Sequence, residues 1–575
     1  MHQTRRQFVG TAAAIGALTL IPGRAATPSG PRRQSLAAFS ADPVRVAVLR
    51  RGVAAMKALP ASNPGSWFFQ AATHAYSDAL LKAELKRDPK LQAFDRDKYW
   101  NKCPHFGQCS ADFAIWHRAF LHFFERTLRA ASGDPTFALP YWDYGNAEQR
   151  VFPAVYAPEF VDNAKTIANP LFHPNREESF ARGLLEISGA IGEAPKTVGA
   201  ATFFHQPGVL GFGGDTLDSD HTQIGLLEQR PHNDIHLAVG GVIDSANGAM
   251  AEITTAAFDP VFWVHHANID RMWAQWAATP GKSWGIAQSQ DWFDERPWTF
   301  VDADGSDVTL SRREAIELPV AYDVDYGPQL PVPASPPPPP PPKSVAAAAS
   351  GAGSADSAAV QAAPAPPPVG AAPPVALGAA APSDEVVAAE GRRTHTARRR
   401  PRERELLADS HPITVTPHSG AHRQIGGARS AAAAHRDTRP ASEAAPAAPT
   451  LDAPELSDAG ATVLLELSGI SFTLVPSSGF AVYLDRAGKP TSADPVGLID
   501  IFGATHHGAG LDPMPGMHMI KAAQRFDVTA IVRRSPGPFT LRVEPYDLLV
   551  THDGRSVRGR ADAVTIESVR FVVLS

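Results

Sequence analysis

The chain has 575 residues, a length that suits about two to four domains. Its 53 Lys and Arg against 59 Asp and Glu leave a net charge of −6, which gives no basis for nucleic acid as a partner. With only two cysteines, no disulfide scaffold holds the protein together. Histidine is plentiful at 21, and most of these must be structural or surface groups.

Residues 1–26 read as a targeting segment. Thr4-Arg5-Arg6 and Phe8 precede the short apolar run A-A-A-I-G-A-L-T-L-I and the small-residue stretch G-R-A-A. That order predicts a twin-arginine signal peptide and an exported protein, periplasmic or secreted, with the twin-arginine machinery as a partner. The apolar run is too short to span a bilayer comfortably, and no other stretch approaches a span, so no stable membrane insertion is expected. From Asp42 apolar residues recur near 3.6 spacing up to Pro60, which predicts a helix. The stretch W-F-F-Q-A-A-T-H around His74 reads as another.

Two histidine-bearing halves follow. The first contains C-P-H (Cys103 to His105) and F-A-I-W-H-R-A-F-L-H-F-F-E-R, which carries His117 and His122. The second opens with R-P-H-N-D-I-H-L and closes with D-P-V-F-W-V-H-H-A-N-I-D-R-M-W. His232 and His236 are four apart, so a helix stacks them one turn above each other, roughly 6 Å apart along its axis. Two imidazoles so placed can share a metal ion, and His265-His266 offers a third. Imidazole donors alone suit Cu, Zn, Fe or Ni.

The motifs W-H-R-A-F-L-x-F-F-E-R, L-P-Y-W-D-Y and P-H-N-x-x-H…D-P-x-F-W-x-H-H-A-N-I-D-R-x-W, in this order, resemble the two copper signatures of the type-3 copper proteins (tyrosinases, catechol oxidases and hemocyanins). The resemblance covers residues 45 to 330 well and the C-terminal part more loosely. It implies two copper ions as cofactor. It implies His74, His105 and His117 as ligands of an A site, and His232, His236 and His266 as ligands of a B site. Twelve residues separate His105 from His117, more than the family usually has, and the residue nine before His117 is Gln108, a poor ligand. A small insertion within 106–111 accounts for this. His122 is expected to pack in or near its helix.

The resemblance also assigns supporting roles. His265 becomes a residue behind the ligands, and Asp270 and Asn268 are candidates to orient imidazoles, although Asp270 and Arg271 could equally form a structural pair. Glu228 and Asn233 match the pair proposed to hold a water that deprotonates an incoming phenol. A phenol with a pKa near 10 needs such a base at neutral pH; a solvated acid is the plainer reading of Glu228. Ile253 stands where plant-type enzymes often place a bulky Phe as a gate. Cys103 has two readings: a thioether to His105, as in some relatives, or a disulfide to Cys109. The leftover Cys109 favours the disulfide. Tyr322 and Tyr326 are weakly similar to the tyrosine pair that closes the plant catalytic domain.

After Pro331 the chain becomes rich in Pro, Ala, Gly and Ser, with seven arginines between Arg392 and Arg404. Such a segment cannot bury a core, and the basic run is either solvated chain or a tether cut by an activating protease. From about Ala461 the short alternating runs T-V-L-L-E-L, I-S-F-T-L-V, F-A-V-Y-L-D, F-D-V-T-A-I-V, F-T-L-R-V-E-P and V-T-I-E-S-V-R-F-V-V-L predict the strands of a β-sandwich, loosely similar to the plant domain that keeps the enzyme latent. Within it His506, His507, Met514, Met517, His518 and Met519 form a Met/His cluster. This is either an apolar loop over the catalytic mouth or an auxiliary Cu(I) loop.

The expected fold is therefore a mainly α catalytic domain (27–330), a four-helix bundle holding a binuclear copper site. A disordered Pro/Ala/Arg-rich linker (331–455) joins it to an all-β sandwich that shields the site (456–575). The resemblance implies an oxidase that uses O2 to convert phenols and o-diphenols to o-quinones, latent until the C-terminal domain is displaced. The alternatives are a catechol or o-aminophenol oxidase without monophenolase activity and, from another class, a hemocyanin-like oxygen-binding protein.

Overall fold

Helix boundaries in the first half follow local caps. The computed structural model describes residues 30–105, 109–207, 209–216, 223–243, 246–285, 290–334, 403–406, 413–415 and, with breaks, 450–574. Asp42 accepts from the amides of Val44 and Arg45, and Pro43 follows, so α1 (Pro43–Ala58) starts there and ends just ahead of Pro60, as the spacing predicts. Ser66 caps α2 (Trp67–His74) by accepting from the Phe69 amide. The longest helix, α3 (Asp112–Ser132), is closed by Gly133 at φ 69°, a left-handed conformation that glycine adopts without strain. A kink at Arg230 (φ −150°, ψ 125°) precedes α4 (Asp234–Gly240). The core is completed by α5 (Val261–Ala278), buried along most of its length.

Aromatic packing sets the helices against one another. The rings of Phe124 on α3 and Trp263 on α5 stack at 3.4 Å, and Trp67 of α2 meets both edge-on. Such pairs add about 0.5–1.5 kcal/mol beyond the area they bury. At Gly52 a Cβ would stand 2.7 Å from Leu128 Cδ1, so only glycine lets α1 lie this close to α3. Beneath these rings runs a buried ion cluster. Asp270 takes Arg118 Nε (2.7 Å), Arg33 Nη1 (2.9 Å) and the Tyr322 hydroxyl (2.6 Å), and Arg33 Nε also bonds Glu125 Oε2 at 2.8 Å. Desolvation of that many charges is offset only when each has its partner.

The C-terminal part is antiparallel β. One sheet has the order β7 (Gly497–Ile499), β6 (Ser478–Arg486), β9 (Phe539–Asp547), β4 (Thr450–Leu451). The other runs β8 (Met519–Asp527), β5 (Thr462–Phe472), β11 (Val564–Leu574), β2 (Glu403–Leu406), and β3 (Ile413–Val415) also pairs with β11. Leu465, Leu467, Ile470, Val482, Leu541 and Phe571 are buried, and so are Leu464, Glu466 and Ala481 between them, so both faces of β5 and β6 are largely covered.

Three details differ from the sequence expectation. The runs T-V-L-L-E-L and I-S-F-T-L-V fall partly in one long strand, β5. F-D-V-T-A-I-V does not continue as strand: Asp527 accepts from the Thr529 amide and a short helix, α6 (Thr529–Arg534), follows. The segment expected to be linker up to 455 supplies β2, β3 and β4. These are two to four residues long in a composition that hides them, and they form because the long edge of β11 and the end of β9 offer unpaired backbone groups. The expected signal (1–26) and most of the Arg392–Arg404 run lie outside the described residues.

The helical and β parts form one compact unit. Their seam contains a two-stranded antiparallel pair, β1 (Leu185–Ile187) with β10 (Leu549–Thr551). It also contains Tyr546, whose hydroxyl donates to Asp234 Oδ1 at 2.7 Å while the Arg230 guanidinium lies 4.3 Å from its ring centroid. Tyr546 lies flat over Gly479, where an added Cβ would fall 2.0 Å from the ring. Among the described residues no helix is long and apolar enough to cross a membrane.

Candidate metal centre

The helix pattern brings imidazoles from four elements into one buried chamber. His74 ends α2, His117 lies inside α3, His232 and His236 bracket the start of α4, and His265 and His266 lie on α5; all six are buried. Two groups of donor atoms result, each lying within 4.8 Å of one another: His232, His236, His265 and His266 in one, His74, Cys103 and His117 in the other. The rings of His117 and His266 stack at 4.4 Å across the two groups. Phe113 packs on His117 and His232, and Phe262 on His74 and His266.

Hydrogen bonds select the tautomers. Nδ1 of His117 faces the Phe113 carbonyl at 2.7 Å, Nδ1 of His236 the Met250 carbonyl at 2.8 Å, and Nδ1 of His232 faces Asn233 Oδ1 at 2.7 Å. Each Nδ1 therefore carries the proton, and each Nε2 presents a lone pair to the chamber. Burial, joined by the neighbouring imidazoles, pushes His74, His232, His265 and His266 well below the ordinary histidine range. His236 falls to about 3, with burial as the largest cause. Neutral imidazole is the form that binds metal.

The donor set fits metal ions. Buried Nε2 of His232 has no hydrogen-bond partner among the described residues, which is costly unless something else occupies its lone pair. Nε2 of His236 and Nε2 of His266 face each other at 3.2 Å. Two imidazole nitrogens bound to one first-row ion at about 2.0 Å and a tetrahedral angle lie roughly 3.3 Å apart.

Other expected residues lie as follows. His105 is close, its ring 6.3 Å from that of His232, but its Nε2 meets Glu228 Oε1 at 2.9 Å and it stands outside both donor groups. Glu228 is fully buried, so the plainer reading of a solvated acid is wrong: the helical turn before His232 carries it inward. Asn233 accepts from the imidazole that precedes it. His265, expected behind the ligands, stands within the four-imidazole group and also meets the Tyr144 hydroxyl at 3.2 Å. Ile253 is buried with its backbone beside His74.

Asp270 does not orient an imidazole. Its oxygens go to Arg33, Arg118 and Tyr322, while Arg271 bonds Asn268, Tyr326 and Asp143. The weakly matched tyrosines thus anchor α5 through Asp270 and Arg271. The disulfide is also corrected: both cysteines are free. Cys103 Sγ lies 3.0 Å from His105 Nδ1, while Cys109 sits beside Asp112 and Arg312, where burial raises its thiol pKa. His122 is outside the donor groups, its pKa lowered to about 4 by burial and by Arg33. His506, His507, Met514, Met517 and His518 lie outside the described residues, and Met519 opens β8.

Sequence reading missed Phe502. It follows β7 in the β part, is buried, and stacks on His236 with centroids 4.2 Å apart. It also stands 5.7 Å from the rings of both His105 and His232. The only local signal is an aromatic residue between I-D-I and G-A-T-H-H.

The family model described as the common central domain of tyrosinase matches residues 64–200 and 201–279, a span that contains every histidine of the chamber. Residues 64–279 thus carry the common central domain of tyrosinase. Its centre takes two copper ions, which the donor set fits. The chain is 31% identical over 303 residues to a tyrosinase of Hahella sp. (strain CCB-MM4), covering 49% of this chain and 60% of that protein. It is 26% identical over 294 residues to a chloroplastic polyphenol oxidase of Spinacia oleracea, covering 47% and 43%. A latent apple tyrosinase of known structure aligns over 95% of this chain and 98% of its own, at 18% identity and TM-score 0.48. The chain thus spans about half the length of the curated relatives it matches.

Proposed function

We propose that this protein is an exported, latent phenol oxidase that uses O2 to convert monophenols and o-diphenols to o-quinones. The observation that carries the reading is the buried imidazole chamber with Nε2 lone pairs turned inward. His74, His105 and His117 would hold one copper, and His232, His236 and His266 the other, with His265 in support. Bound copper supplies the redox chemistry with O2; the protein supplies geometry, access and a base. Asn233 keeps His232 in the tautomer that leaves Nε2 available. Glu228 is the candidate proton acceptor, since its carboxylate is buried beside the chamber and a phenol must lose its proton to bind well at neutral pH.

Latency is supported by Phe502. A planar substrate approaching His236 needs the face that the Phe502 ring covers, so the β part has to move before a phenol enters. The seam of β1 with β10 and of Tyr546 with Asp234 would keep it in place, and cutting the tether would weaken that hold. Ile253, smaller than Phe at the gate position, would then leave room for bulky phenols. Export by the twin-arginine route, which carries folded proteins, is inferred from residues 1–26.

Oxygen uptake tests the reading on copper-loaded full-length protein, before and after protease, with tyrosine and with a simple catechol. Uptake with both, rising after cleavage, is expected. Uptake with catechol alone would make it a diphenol oxidase and remove the role given to Glu228. Reversible O2 binding without turnover in either state would make it a carrier.

A further inference from the structure

We propose that Arg230 and Asp234 form a second phenol site on the helical part, filled in the covered protein by the Tyr546 side chain. Once the β part moves, a hydroxyphenyl ring of the substrate takes that place. The proposal rests on the phenol oxidase reading above.

The helical part builds this site alone. Arg230 Nε donates to Asp234 Oδ2 at 2.7 Å. The Arg230 carbonyl accepts the Thr197 hydroxyl at 2.6 Å, and Gln229 Nε2 donates to the Ile224 carbonyl at 2.9 Å. All of these residues precede the β part, so the arrangement outlasts its departure. Asp234 is buried, and with Oδ2 turned to Arg230 its Oδ1 faces the seam.

Into that place the β part puts a phenol. The Tyr546 hydroxyl donates to Asp234 Oδ1 at 2.7 Å, and the Arg230 guanidinium lies 4.3 Å from the ring centroid. A hydroxyl that can donate to a carboxylate and a ring face that attracts a cation are the two features that distinguish a phenol from other small groups. The pair reads both at once. On the β side the seat is lined by Gly479, Leu498 and Ile499, which bring no polar side chain.

A tyrosine at a seam is often a docking contact and nothing more. Here the surroundings point further. Arg230 and Asp234 flank His232, two residues to either side, so the bound ring sits at the edge of the chamber. The small cavity beside Tyr546 is also lined by Gln229, Asn233 and Leu237, and Asn233 is the residue whose Oδ1 meets His232. Phe502 meanwhile packs on His236 and His232. The cover thus fills two neighbouring places with two aromatic rings, both against residues 230–236. The substrate class that fits is a small phenol or catechol carrying a second hydroxyphenyl ring.

Two measurements test this. In the first, copper-free, uncut Tyr546→Ala is melted with p-cresol, which is the missing side chain, and with toluene, which lacks only the hydroxyl. From the concentration dependence of melting, p-cresol is expected to bind about tenfold more tightly than toluene, as one hydrogen bond to a charged acceptor allows. Adding Asp234→Leu should remove the preference. Equal binding of the two would make the site an apolar hole and overturn the proposal.

The second uses the unaltered chain, copper-loaded and cut, so no variant has to fold. The dipeptides dihydroxyphenylalanyl-tyrosine and dihydroxyphenylalanyl-phenylalanine differ only in the hydroxyl that Asp234 would accept. KM for oxygen uptake should be about tenfold lower for the tyrosine dipeptide, with kcat the same. Equal KM values, with uptake present, overturn the proposal and leave the phenol oxidase reading standing. No uptake with either dipeptide or with catechol would sink that reading, and the substrate role of the site with it.

Discussion

The Phe502 ring lies over the His236 ring with centroids 4.2 Å apart and planes inclined by 22°. These residues are 266 positions apart in the chain, one on the β part and one on α4. The contact makes the β part a cover for the centre as well as a neighbour of it.

Truncating that ring should open the centre without proteolysis. Phe502→Ala is expected to raise catechol-dependent oxygen uptake of the uncut protein about tenfold, since ~1.4 kcal/mol of lost docking energy gives tenfold more undocked protein. Melting should also show a loss of about 3–5 kcal/mol, the usual cost of removing a buried Phe. Unchanged uptake would mean that Phe502 does not guard access.

Tyr546 should act on docking alone. Its hydroxyl is the donor to Asp234, and Tyr546→Phe keeps the ring beneath Arg230 while deleting that bond, worth about 1.5–3 kcal/mol when the acceptor is charged. Uncut Tyr546→Phe should be more active than wild type, and the two should be equal after cleavage. A difference that survives cleavage would place the effect on the centre itself.

Docking should weaken as pH rises. His552 lies just beyond β10, with Nε2 2.9 Å from the Gly183 carbonyl and Nδ1 3.3 Å from Glu186 Oε2. Its pKa is raised by the Gly183 carbonyl first and then by Glu186. A raised pKa in the docked state means that the contribution is complete below the ordinary histidine value of about 6.5 and fades as pH climbs through the raised one. Latent activity should therefore rise between pH 6 and pH 8.5 (roughly, from those pKa values) in wild type and rise less in His552→Ala. Parallel profiles would dismiss His552 as a docking contact.

Glu228 should divide the two activities. Glu228→Gln is expected to lower monophenol oxidation about 100-fold, the size of a lost general base, while catechol oxidation falls less than ~10-fold. An equal loss of both would assign Glu228 to holding the centre together. Copper content, measured alongside, separates the two cases.

Asp270 should matter for stability far more than for chemistry. Asp270→Asn leaves Arg33 and Arg118 buried without their shared carboxylate, a change that typically costs about 3–5 kcal/mol. Denaturant unfolding should report that loss. A cost below ~1 kcal/mol would mean that the cluster is far better hydrated than its burial implies.

The sequence by itself determined what depends on neighbours within a turn or two. The four-residue step from His232 to His236, the Asp42 and Ser66 caps, and the alternation of β6 and β11 are all local, and helix and strand geometry follow from them directly. The two histidine halves were legible as metal-ligating for the same reason. What only the tertiary structure decided are contacts between distant stretches: Tyr546 with Asp234, Asp270 with Arg33, and Phe502 over His236. The place of His105 belongs here too, because the ring could face either the chamber or Glu228. Periodicity says which face of an element is buried, but not which partner it meets. That choice is made when buried charges and rings from remote parts of the chain must all be satisfied in one packing.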